Sequence, residues 1–357
     1  MNVYEIVSCV LYLAAMLGIG IWVFIKGKGT SEKDYFLGGR KMNGFVSALS
    51  AGASDMSAWC LMGLPGAIYI AGMGQVWISV GLIIGTILAW IFVAPRLRVY
   101  SIKAGDSITV PQFLTNRFLS KSPVLRLVCA VVFLVAYCIY MASSLVACGN
   151  IISILSGGSI DATWGMVVAG IIIIVYTMLG GFNAVCWTDF FQGMLMLAAI
   201  MLLPIVMLII MGTGNVADSF VPWLSVSENF FNPLSSGAFD WKSISDILSG
   251  LGWGLGYFGM PQVLLRFMAI RKESELKLSR RIASIWVVIS LSVAVFIGIV
   301  GRQLFPVELL TKSSAESIFV TLSTNFMPPI LAGFVMAGIL AATISSSDSY
   351  LLIAASA

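Results

Sequence analysis

Residues 190–212 read FFQGMLMLAAIMLLPIVMLIIMG and hold no charged side chain. About 20 apolar residues is the length that crosses a bilayer as a helix. Eight further segments read the same way, near 5–25, 43–71, 74–95, 124–150, 162–180, 247–270, 282–301 and 328–357. In hydrocarbon every backbone polar group needs an internal partner, so such spans fold as helices. The 357 residues are 59% hydrophobic and 10% charged, against about 25% charged in soluble domains. The expected fold is therefore an all-α polytopic membrane protein, multi-pass in the cell membrane and surrounded by lipid. The first apolar run lacks a basic leader and is followed by Lys26 and Lys28, so it reads as a retained span.

What is missing narrows the function. The chain has no His, which removes imidazole metal sites and Ser-His or Cys-His nucleophiles. Without His or mid-span Lys, a redox or proton-pumping subunit is disfavoured. No covalent chemistry and no organic cofactor is suggested, so an enzyme is not expected. Five of the six Cys lie in apolar segments and read as packing thiols.

The net charge of +4 follows membrane topology rather than nucleic-acid binding. All but three of the 20 Lys and Arg fall in the connections after spans one, three and seven. The last of these carries Arg266, Arg271, Lys272, Lys277, Arg280 and Arg281. By the positive-inside rule these connections are cytoplasmic and the N-terminus is outside. The connection 213–246, rich in aromatics and Pro, should cap the outer face. The chain stops at LLIAASA inside its ninth apolar run, which reads as a fragment of a longer protein. The expected division is a first helix and cytoplasmic loop (1–42), a five-helix repeat (43–212), the external loop (213–246) and an incomplete second repeat (247–357).

Two spans are irregular. Residues 51–60, AGASDMSAWC, put Ser54, Asp55 and Ser57 inside an apolar run, followed by Gly63, Pro65 and Gly66. A carboxylate at that depth costs roughly 2.5–3.5 kcal/mol on insertion scales. Residues 249–261, SGLGWGLGYFGMP, contain Gly250, Gly252, Gly254, Gly256 and Gly259 before Pro261. Each Gly costs about 1 kcal/mol in a helix. Close helix packing through small residues accounts for any single one. For the cluster, an unwound helix lining a cavity is the better reading. Two interrupted helices in corresponding positions, five spans apart, point to an inverted-repeat (LeuT-like) transporter.

The ninth span adds AATISSSDSY, in which Ala342, Ser345 and Ser346 share one helix face. Their neutral oxygens, with carbonyls freed near Ala53 and Met56, suit a monovalent hard cation such as Na+. A Ca2+ site would want several carboxylates. Serines that simply bond back to their own helix are the competing reading. Trp253, Tyr257 and Pro261 recur every four residues, which would align them on one stripe of a regular helix. Such a stripe alone reads as packing; beside a Gly-rich break it suits a small substrate with an apolar ring. Tyr140 alone reads as an interhelical hydrogen bond. The second intramembrane acid, Asp348, has no role that the residues decide.

Four stretches are recognisable: DYFLGGRKMNGFVSALSAGASDMSAW (34–59), GGFNAVCWTDFFQG (180–193), GLGWGLGYFGMPQVLLRFMAIR (250–271) and GILAATISSSDS (338–349). Through them essentially the whole chain resembles the sodium/solute symporter family, most closely its proline-transporting branch. The resemblance implies Na+ as the coupling ion, bound by Ala53, Met56, Ala342, Ser345 and Ser346. It links Asp55, Ser54, Ser57 and Asp189 to sodium, with Asp189 tied to its release. It assigns Trp253, Tyr257, Pro261 and Tyr140 to the substrate, and Arg40 to gating at the cytoplasmic side. The expected activity is sodium-coupled symport of L-proline into the cell by alternating access. Another small solute, or a symporter-like input domain of a membrane sensor kinase, stays open at this point.

Overall fold

The computed structural model describes residues 3–26, 31–212 and 229–356. It is helical throughout, apart from one isolated β-bridge between Met42 and Ile270. The helices in chain order are α1 (Val3–Lys26), α2 (Glu32–Leu37), α3 (Gly44–Asp55), α4 (Leu64–Ala71), α5 (Val76–Leu88), α6 (Ala94–Lys103), α7 (Val110–Arg117) and α8 (Val124–Leu155). They continue with α9 (Ala162–Gly212), α10 (Trp241–Gly252), α11 (Pro261–Ala269), α12 (Leu276–Leu304), α13 (Lys312–Ala315), α14 (Ile318–Phe326) and α15 (Pro329–Ser356).

Among the described residues, six helical runs are long and apolar enough to cross a membrane. The nine sequence segments map onto them unevenly. One run, Trp59–Lys103, joins the second half of span two to span three, and another, Ala162–Ile210, joins spans five and six. The sequence predicts a gap, 181–189, between those last two. Helix instead resumes at once after Gly181, whose backbone (φ 55°, ψ −152°) departs from the helical form. A Cβ there would also lie 2.7 Å from the Tyr35 carbonyl oxygen, so Gly alone fits both the conformation and the space. Span seven is missing from the six because it is divided into α10, a short tight helix (Trp253–Phe258) and α11, none of them long.

The interior lies around α15. Its residues from Val335 to Ser349 are all buried, and Ser345, Ser346, Ser347, Asp348 and Ser349 have no exposed surface. Helices α1, α3, α8, α9 and α14 pack around it. By contrast α8 turns Leu127, Val131, Val135 and Ile139 outward, each more than half exposed. That is the pattern of a lipid-facing helix, apolar outside and polar within. All six cysteines are free thiols.

Most of the predicted external loop, 213–228, lies outside the described residues. Its described remainder folds over the turn before α5: Phe230 accepts from Met73 N at 2.8 Å, and Pro233 accepts from Trp77 Nε1 at 2.9 Å.

The glycine-rich run serves two purposes. A Cβ on Gly85 would fall 2.2 Å from the Gly254 carbonyl oxygen, and one on Gly254 would fall 2.0 Å from that of Gly81. Gly81 likewise abuts Gly250 at 2.6 Å. Two four-residue glycine spacings, Gly81/Gly85 and Gly250/Gly254, thus bring α5 and the interrupted span into direct backbone contact. A Cβ on Gly252 would meet nothing within 4 Å. Close packing therefore accounts for part of the cluster and the helix interruption for the rest.

Candidate functional site

Two breaks and one intact helix build the site. α3 ends at Asp55, and Met56 (φ −76°, ψ 82°) leaves the helical form before winding resumes as a wide turn at Trp59–Gly63. In the second broken span, the tight helix ends at Gly259 (φ −128°), Met260 is extended (ψ 109°), and Pro261 starts α11. Proline suits that first turn because its missing N–H has no partner to lose there.

α15 faces the first break. Ser345 Oγ donates to the Ala53 carbonyl oxygen at 2.8 Å, and lies 3.3 Å from that of Ala342. Ser346 Oγ donates to Ala342 O at 2.9 Å. Ala53, Ala342, Ser345 and Ser346 are completely buried. The oxygens brought together are neutral and hard, which fits a monovalent cation of sodium's kind. Met56 supplies the break itself, and its sulfur accepts from Trp286 Nε1 at 3.2 Å. Ser54 bonds back to Ala51 O at 3.2 Å, within its own helix. Ser57 caps the resumed helix, accepting from Trp59 N at 3.3 Å.

Beside the break is a cavity of ≈400 Å³. Asp55, Ser57, Trp59, Cys60, Leu82, Tyr140, Ser143, Ser144, Trp253, Gly256, Tyr257, Met260 and Tyr350 line it. The Tyr257 hydroxyl donates to Asp55 Oδ2, joining the two broken spans. Trp59 stacks on Trp253, with ring centroids 4.8 Å apart and planes at 24°. Tyr140 and Tyr350 pack at 5.3 Å. Among the described residues, no Lys or Arg lines this cavity.

The structure corrects the single-stripe expectation. Trp253 and Tyr257 lie in the tight helix, with about 3 residues per turn, so four positions turn the side chain by about a third of a circle. Trp253 and Tyr257 both still reach the cavity, whereas Pro261 is buried in the first turn of α11 and is not among the lining residues.

Asp189 and Arg40 belong to other clusters. Asp189 Oδ2 accepts from Arg266 Nη2 and from Ser50 Oγ, each at 2.8 Å. Arg266 also donates to Ser50 Oγ at 3.1 Å, to Gln262 O at 2.9 Å and to Ser349 Oγ at 2.7 Å. Arg266, counted among the basic residues of a cytoplasmic connection, is thus fully buried inside α11. Asp348 accepts from Tyr176 and, at 3.2 Å, from Ser349. Arg266, Asp348, Trp59 and Tyr350 were not singled out by sequence reasoning as site residues, and only the acid in an apolar run carried a signal of its own.

Arg40 anchors the turn that precedes α3. Its side chain donates to Asp106 Oδ1 and Ser101 Oγ, each at 3.0 Å, and to the carbonyls of Met268 and Ser107, each at 2.8 Å. Lys33 also pairs with Asp106. Partial burial alone would raise the Asp106 pKa, but the Lys33 hydrogen bond and the Arg40 charge outweigh it and hold it below the ordinary carboxylate value.

A helix broken within an apolar span, carbonyls and hydroxyls gathered at the break, and a lined cavity alongside are the features of one class: an ion-coupled secondary transporter. The comparisons give the particular family. The model of the Sodium:solute symporter family matches residues 35–357. The high-affinity proline transporter PutP of Bacillus subtilis (strain 168) is 42% identical over 342 residues, covering 96% of this chain and 70% of that protein. The osmoregulated proline transporter OpuE of the same organism is 39% identical over 357 residues, 100% of this chain and 70% of that protein. The sodium/proline symporter of Staphylococcus aureus (strain USA300) is 37% identical over 347 residues, 97% and 65% respectively. This chain belongs to the sodium:solute symporter family. A solved structure of a Na+-coupled sialic acid symporter, in its substrate-bound outward-open state, shares the fold with a TM-score of 0.76. It is 20% identical, covering 98% of this chain and 72% of that one.

Proposed function

We propose that the chain performs sodium-coupled symport of L-proline into the cell by alternating access. The observation that carries the reading is the meeting of Ser345 with the Ala53 carbonyl, across the break in the first interrupted helix. Relatives named as proline transporters and sodium/proline symporters support both the ion and the solute. Sodium is held by the carbonyls of Ala53, Met56 and Ala342 with the hydroxyls of Ser345 and Ser346. Asp55, in the run from Ala53 to Ser57, carries the negative charge between that site and the cavity, with Ser54 and Ser57 close by. Proline sits in the cavity against Trp253, Tyr257 and Tyr140, and Pro261 fixes the start of the helix below them.

Bound sodium pins the broken helix and so organises the substrate cavity, a coupling typically worth about 1–3 kcal/mol. The membrane potential adds about 2.3 kcal/mol per inward charge per 100 mV. Arg40 holds the cytoplasmic-end turn to the end of α11, and Arg266 with Asp189 holds α11 to α3 and α9, so both contacts must rearrange for release inward. The nine-span reading supports an N-terminus outside, with two inverted repeats opening at the broken spans. The transporter needs no covalent step.

The test is uptake of labelled proline by the whole protein in proteoliposomes, with and without a sodium gradient. Uptake that needs no sodium, or none of proline beside uptake of another solute, defeats the proposal.

A further inference from the structure

The cavity is lined by five aromatic residues, one carboxylate and the hydroxyls of Ser57, Ser143 and Ser144, with no cationic side chain among the described residues. Trp59 and Trp253 are stacked on each other, so only their outer faces can meet a ligand. Tyr140 and Tyr350 form a second aromatic wall, tilted 40° to one another. Asp55 lines the same space and is held in place by the Tyr257 hydroxyl, leaving its second oxygen toward the remaining surroundings. Ring faces and a carboxylate both attract positive charge, and paired aromatic walls are the arrangement that receives quaternary ammonium groups. Among the described residues, a zwitterion's carboxylate meets hydroxyls here, from Ser57, Ser143 and Ser144, and no Lys or Arg, whereas its charged nitrogen meets aromatic rings and the Asp55 carboxylate.

We infer that this cavity recognises the positive nitrogen of its ligand through ring faces and charge rather than through N–H donors, and so also accepts N-methylated, quaternary ammonium zwitterions of the betaine class. The inference rests on the reading of this cavity as the substrate site. It is supported by size: ≈400 Å³ leaves room for methyl groups on the nitrogen of a small cyclic amino acid. Attraction to a ring face depends on charge and contact, both of which survive methylation. Acetylation of the nitrogen removes the charge and should abolish the interaction.

The experiment uses the whole protein, purified and in proteoliposomes, with sodium present. Three unlabelled compounds compete with labelled L-proline: proline itself, N,N-dimethylproline and N-acetylproline. The same compounds are tested in parallel for protection of the purified protein against thermal unfolding. N,N-dimethylproline should compete within about tenfold of proline, and N-acetylproline should not. Tyr140→Phe, which keeps the ring, should preserve that ratio, and Tyr140→Leu should weaken N,N-dimethylproline by several-fold more than proline. Proline uptake that N,N-dimethylproline does not inhibit overturns the inference while leaving the proposed function standing. Absence of proline uptake defeats the proposed function, and the unfolding measurement then decides the cage alone. Protection by N,N-dimethylproline and none by N-acetylproline upholds it, and equal protection or none by either defeats it.

Discussion

The hydroxyl of Ser345 donates to the carbonyl oxygen of Ala53, 292 residues earlier in the chain, at 2.8 Å. The bond forms because α3 stops winding within three residues of Ala53, and α15 brings a hydroxyl to the same depth. A carbonyl inside an unbroken helix has a backbone partner; one near a break is open to a side chain or an ion.

Ser345→Ala removes one oxygen from the proposed sodium site and leaves Ala53 O without its hydroxyl. With one oxygen ligand fewer, the sodium concentration for half-maximal uptake should rise by about tenfold or more, each tenfold being about 1.4 kcal/mol. Sodium titration of proline uptake measures it, with maximal rate changing less than apparent affinity.

Asp55→Asn keeps the shape and removes the charge. Apparent sodium affinity should fall strongly while the amount of protein in the membrane stays near that of the parent. Tyr257→Phe keeps the charge and removes the hydrogen bond seen here, so it should affect sodium dependence less than Asp55→Asn does. Equal effects would make the Tyr257–Asp55 bond, rather than the charge, the determinant.

The glycine contacts give a paired test on stability. Gly254→Ala places a methyl group 2.0 Å from the Gly81 carbonyl oxygen, so backbones must separate. Gly252→Ala meets nothing within 4 Å, and Ala favours a helix by up to about 1 kcal/mol over Gly. Thermal unfolding in detergent should show Gly254→Ala clearly destabilised and Gly252→Ala unchanged or slightly improved.

Arg266 and Asp189 are both fully buried. Removing one partner of a buried ion pair typically costs about 3–5 kcal/mol. Arg266→Gln should therefore unfold at markedly lower temperature than the parent. Arg266→Gln combined with Asp189→Asn should recover part of the loss, because no lone charge is left inside.

The Asp106 cluster gives a pH dependence. Its carboxyl is held below the unfolded value by Lys33 and Arg40, despite partial burial. The stabilisation is thus fully present above the unfolded carboxylate pKa and is lost as pH falls through the folded one. Because the Asp106 side chain is 44% exposed, solvent screens the pairs and the effect is modest. Asp106→Asn should flatten the acid limb of an unfolding-temperature profile and leave neutral pH little changed.

Much of this was legible in the chain. Runs of apolar residues located the helices, and Gly and Pro with embedded polar residues marked both breaks, because local composition dictates where a membrane helix can wind. Ser345 and Ser346 stand out in the sequence as hydroxyls in an apolar run; Ser345 reaches the Ala53 carbonyl, while Ser346 bonds back to Ala342 in its own helix. Arg266 escaped because a basic residue near a span end looks like a loop charge, and only three-dimensional packing delivers Asp189, Ser50 and Ser349 to it. Trp59 and Tyr350 escaped because aromatic residues in apolar helices are ordinary, and their shared cavity depends on how two distant helices cross. The expected gap at 181–189 is helical because one glycine at positive φ, Gly181, is enough to redirect the chain before the helix resumes.

The interlocked backbones of α5 and the glycine-rich span limit how this molecule can move. Carbonyls seated where neither chain has a side chain leave no lubricating layer of rotamers between the two segments. They tilt most readily as one piece, which leaves the rearrangement to contacts made through side chains: Arg40 against the end of α11, Arg266 of α11 against Asp189, and Ser345 against the first broken helix.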